Sequence, residues 1–66
     1  MRYEIRVAGL LQDITVREGF PELDSTVVAG QTVLFGDVVD EAHLYGLLNR
    51  CQALGLTVTE FRRLQE

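Results

Sequence analysis

Lysine and tryptophan are absent from this 66-residue chain, and cysteine, histidine, proline and methionine each occur once. A lone cysteine forms no internal disulfide, and one histidine with one cysteine falls short of a structural zinc set, so two common reinforcements of very small domains are missing. A chain this short buries only about 60% of the surface that its unfolded form exposes. The reinforcement left to it is association with another chain. No run of eighteen apolar residues occurs, and the first residues alternate in character instead of building a signal-peptide core. The expectation is therefore a protein without membrane contact, in a reducing, cytoplasmic setting. Basic excess is also lacking. A formal net charge of -4 argues against a nucleic-acid partner gripped through its phosphates. The six basic residues are all arginine, at Arg2, Arg6, Arg17, Arg50, Arg62 and Arg63, which reads as a compositional habit rather than an anion fork. With 47% apolar residues and no linker, repeat or low-complexity tract, the sequence describes one globular domain over residues 1–66.

What is present is a clear alternation of periods. Tyr3, Ile5 and Val7 alternate with Glu4, Arg6 and Ala8, the period of two that marks a half-buried strand. Between Gly9 and Pro21, Leu10, Leu11, Ile14 and Val16 fit either a short helix opening near Asp13 or an apolar-anchored loop. Thr26 to Ala29 and Thr32 to Phe35 are β-branched and aromatic runs around Gly30-Gln31, which predicts a hairpin with a type II′ turn. Asp40 is placed to cap a helix, with Glu41 at the positive end of its dipole. Leu44, Leu47, Leu48, Cys51 and Leu54 recur at helical spacing. Gly55 then suits a left-handed stop, with Leu56 beside it for the contact that accompanies such caps. Leu56 to Leu64 predicts a last strand whose apolar parity changes between Val58 and Phe61, by a bulge or by one side chain on each face. The predicted class is α+β: a four-stranded, mostly antiparallel sheet with one long helix on one face, either ferredoxin-like (βαββαβ) or a β-β-β-α-β layer.

From Thr32 to Leu56 the chain carries T-V-L-x-G-x-V-x-D-x-A-x-L-x-G-L-L-x-R-x-x-x-L-G-L, preceded near its start by Y-E-I-R-V. This pattern resembles a group of very small, functionally uncharacterised bacterial proteins, mostly actinobacterial. The group often has a W-x-x-W-F segment where this chain has Gly19-Phe20-Pro21. The resemblance implies a bacterial cytoplasmic origin and brings no activity, cofactor or catalytic residue with it.

Candidate chemistry is sparse. Cys51 lies on the apolar stripe, late in the helix and far from the dipole end that would acidify it, so it reads as core. His43 has no second His or Cys to share a metal ion, and Asp40 is explained by capping. Asp37, Asp40 and Glu41 read as solvated carboxylates, and no G-x-G-x-x-G or Walker spacing occurs. No catalytic residue, metal site or cofactor is expected. Gly46 interrupts a good helix at a cost of about 1 kcal/mol relative to Ala, which predicts close approach by the sheet or by another chain. Parity leaves apolar residues on the sheet's uncovered face, which marks an interface. The expected interface residues are Val33, Phe35, Phe61 and Gly46. The expectation is a non-catalytic, homo-oligomeric interaction or regulatory module, most simply a homodimer, with another protein as a further possible partner. The alternative is a metabolite-binding sensor with its ligand at the subunit interface, contacted by Gly36, Asp37, Asp40 and His43.

Overall fold

The alternation at the start of the chain is realised as a strand, β1 (Arg2–Ala8), in a computed structural model that describes residues 1–64. It is followed by α1 (Asp13–Gly19), β2 (Asp24–Val28), β3 (Gln31–Asp37), α2 (Glu41–Ala53) and β4 (Val58–Leu64). The result is a small α+β fold whose four strands form one antiparallel sheet in the order β2-β3-β1-β4. Two helices accompany it, the long α2 and a short α1. The seven-residue α1 occupies the segment that the sequence left open between helix and loop, and Gly19 and Pro21 end it after two turns. Its Val16, together with Phe20 and Leu23, joins Leu44, Leu47 and Cys51 of α2 in one core with Ile5, Val7 and Leu34. Both helices thus cover the same face.

The hairpin also differs from expectation. Its turn residues are Ala29 and Gly30, both at positive φ (51° and 76°), and Val28 pairs with Gln31. Two left-handed residues make a type I′ turn, whose twist matches the flanking strands. The turn sits one residue earlier than Gly30-Gln31 because β3 begins at Gln31.

In α2 the signals behave as read. The Asp40 carboxylate accepts the His43 amide hydrogen at 2.9 Å. At the other end Leu56 N–H donates to Cys51 O and Gly55 N–H to Gln52 O, with Gly55 at φ 73°, the paired bonds of a Schellman stop.

Register decides the faces. Ile5 pairs with Leu34 and Val7 with Thr32 under the helices, whereas Glu4 pairs with Phe35 and Arg6 with Val33 on the open face. Leu34 and Phe35 therefore belong to different layers. In β4 the pairing shifts between Arg6 and Val7, so Val58 and Phe61 both lie on the helix side. The parity change is a bulge, and Phe61 is not on the open face but half-exposed on the helix side of an edge strand. The open face itself is less apolar than parity predicts. Its rows read Thr26-Val33-Arg6-Glu60 and Asp24-Phe35-Glu4-Arg62. Val33 is only 3% exposed although no layer covers it, which requires neighbouring long side chains to lie across it.

Candidate functional site

One polar constellation is built around Glu22, in the turn between α1 and β2. His43 and Arg50 stand seven residues apart on α2, which is two helical turns and hence the same side of the helix. Glu22 reaches between them. Arg50 Nη1 donates to Glu22 Oε1 at 2.7 Å and to the Gly19 carbonyl at 3.2 Å, while His43 Nε2 lies 3.3 Å from Glu22 Oε2. The hydrogen bond from Arg50 is the main cause that holds the Glu22 carboxyl down at about 2, against the opposing effect of burial and with help from its own backbone and from His43.

The tautomer of His43 follows from its other nitrogen. Nδ1 accepts the Val39 amide hydrogen at 3.1 Å, so the neutral ring carries its proton on Nε2 and donates it to Glu22. Both ring nitrogens have partners within the chain. The arrangement clamps the α1–β2 turn onto α2. Beside it opens a cleft of about 440 Å³, lined by Glu18, Gly19, Pro21 and Glu22 on one side and by Arg50, Ala53 and Leu54 on the other. Gly19 admits Leu54 here, since a Cβ on Gly19 would lie 3.1 Å from Leu54 Cδ1.

Of the expected ligand-loop residues, Asp40 and His43 are bonded to each other, and Gly36 and His43 both touch Glu22. Gly36 is buried against the same turn: a Cβ there would meet Leu23 Cδ2 at 3.0 Å and Glu22 O at 3.4 Å. Asp37 is exposed and pairs in register with Arg2, Asp40 caps α2, and His43 serves the clamp. Glu22 and Arg50 were missed. The i, i+7 relation of His43 and Arg50 was a readable signal for a shared face, but Glu22 sits in the one stretch without periodicity. Among the described residues no three His, Cys, Asp or Glu side chains converge to hold a metal ion. No helix there is long and apolar enough to cross a membrane. Cys51 is fully buried, and burial pushes its thiol up, partly offset by a backbone hydrogen bond.

Of the expected interface residues, Val33 and Phe35 lie on the open face, Phe61 on the β4 edge and Gly46 on α2. Among the described residues nothing outside its own helical turn lies within 4 Å of where a Gly46 Cβ would sit, so the described sheet does not require a glycine there. Across the open face, Glu4 takes Arg62 Nε at 2.7 Å and Arg6 Nη2 at 3.5 Å. Burial would raise the Glu4 carboxyl, but the bond from Arg62 and the charges of Arg6 and Arg62 outweigh it and hold it below its usual value. The same pairing raises Arg62. Arg6 Nε is buried there without a partner among the described residues.

Residues 2–62 match the family model described as Domain of unknown function (DUF8691). The chain belongs to this family. The match runs from the start of β1 to Arg62 within β4, so the Glu22 clamp and all of the sheet but the last two residues of β4 fall inside the DUF8691 domain. No curated protein and no solved structure matches the chain.

Proposed function

We propose that this DUF8691 protein is a small, non-catalytic, homo-oligomeric interaction or regulatory module of the bacterial cytoplasm, folded as a ferredoxin-like plait. The plait reading is supported by the element order βαββαβ and by the strand order, which from the other edge is β4-β1-β3-β2. One observation carries self-association: the exposed large apolar side chains of the sheet, Val27, Val28 and Phe61, all stand on its two edge strands, while Ile5, Val7, Val33 and Leu34 of the central strands are buried. Apolar edge positions are where sheets recruit further strands. The acidic net charge supports a protein partner rather than a nucleic acid, and the free thiol of Cys51 suits a reducing compartment. Analytical ultracentrifugation tests the reading: a concentration-dependent dimer is expected, and a monomer persisting at hundreds of micromolar would refute it.

A second reading, the metabolite sensor, is supported by the cleft between Pro21 and Leu54, whose volume of about 440 Å³ falls in the range of small-molecule sites. It moves the ligand away from Gly36 and Asp37. A thermal-shift screen of metabolites would raise the melting temperature if the cleft binds one of them, and a flat screen removes this reading.

A further inference from the structure

Resting on the homo-oligomer reading, we infer that the partner is a second copy of this chain, added through β2 in antiparallel register about a two-fold axis at Thr26. The two edges of the sheet are unlike. β4 is guarded in the usual ways, by a bulge and by Glu60, Arg62 and Arg63. β2 reads Asp24-Ser25-Thr26-Val27-Val28, with every residue exposed, an unbroken register and a single charge at one end.

Main-chain geometry selects the register. The two-residue turn makes Val28 and Gln31 a hydrogen-bonded pair. Alternation along an antiparallel ladder then turns the N–H and C=O groups of Val28 and Thr26 toward β3 and those of Val27 and Ser25 outward. A strand with outward groups on alternate residues fits a copy of itself only when the axis passes through one of its residues. An axis at Thr26 pairs Ser25 of each copy with Val27 of the other, so that every outward group of the strand is used. An axis at Val27 would pair Ser25 with Ala29, which is left-handed in the turn. An axis at Ser25 would call on Leu23, whose N–H already donates to Phe20 O at 3.1 Å. Charge agrees: Asp24 falls opposite Val28, and the two Asp24 residues are about 13 Å apart along the pair, beyond the screening length in physiological salt. Val27, 61% exposed in the single chain, meets Ser25 of the other copy on the helix side.

Val27→Pro tests this directly, because its N–H serves the second copy and not the ladder to β3, and edge strands accept proline at such positions. Sedimentation equilibrium of the full chain compares wild type, Val27→Pro and Tyr45→Ser, an exposed position on α2 away from β2, with circular dichroism as the check on folding. The expected result is a wild-type dimer, a Kd raised about tenfold or more by Val27→Pro, and an unchanged Kd in Tyr45→Ser. A dimer that survives Val27→Pro overturns the β2 assignment and leaves the homo-oligomer reading standing. A monomeric wild type overturns both. Should Val27→Pro fail to fold, amide exchange on wild type decides: protection of the Ser25 and Val27 amides that rises with concentration supports the pairing, and exchange independent of concentration overturns it.

Discussion

Glu22→Gln keeps the shape of the side chain at the centre of the clamp and removes its charge. A carboxyl held at about 2 instead of its ordinary 4.5 corresponds to roughly 3 kcal/mol if the whole difference reported folding. The side chains of Glu22 and Arg50 are 31% and 43% exposed, so solvent screens the pair, and about 1 kcal/mol is the realistic size of the loss at neutral pH. For a domain of this length that is a fall in melting temperature of about 4–8 °C. The sign with pH is set by the depressed value. The contribution is fully present above the unfolded carboxyl's 4.5 and disappears as pH falls from there through about 2. Thermal and urea unfolding of wild type and Glu22→Gln, followed by circular dichroism at pH 7 and at steps down to pH 2, should show two curves that converge as the acid is approached. The difference between them cancels the other carboxylates. A gap that stays constant across this range, or no gap at pH 7, would refute an ionic clamp. Repeating the pair in an Arg50→Gln background should shrink the pH 7 gap, since the main partner is gone.

Gly36→Ala should cost about 1–3 kcal/mol in urea unfolding, because its Cβ would press on buried Leu23 and on the Glu22 carbonyl. Ala29→Gly should stabilise by about 1 kcal/mol by removing a side chain from a left-handed position, measured as a higher denaturation midpoint with unchanged slope. Cys51→Ser should destabilise by about 1–3 kcal/mol and more than Cys51→Ala, since a hydroxyl enters the core. Native Cys51 should label slowly with thiol reagents. Gly46→Ala should raise the melting temperature of dilute protein, gaining about 1 kcal/mol of helix propensity, because among the described residues nothing outside its own helical turn lies within 4 Å of the added methyl.

Local chemistry was legible where it is complete within a few residues. The alternation of Tyr3, Ile5 and Val7 made a strand, and Asp40 and Gly55 bounded a helix whose cap and stop bonds all join residues at most five apart. The hairpin type was misread because Ala29 accepts a left-handed conformation that its own side chain disfavours, and the register of β2 against β3, with Val28 opposite Gln31, places it in the turn. The segment after Gly9 gave no periodic signal because α1 is two turns long and is held from outside. Thr32 Oγ1, on β3, accepts the Leu11 amide hydrogen and donates to the Gly9 carbonyl, while Phe20 and Leu23 anchor the far end in the core. Glu22 met His43 and Arg50 only through packing of that segment on α2, a contact that no spacing along the chain encodes. By itself, then, the sequence determined the elements whose hydrogen bonds close locally. Tertiary structure decided the second helix, the mixed character of the open face and the clamp, since each depends on residues distant in sequence being brought together by burial and strand register.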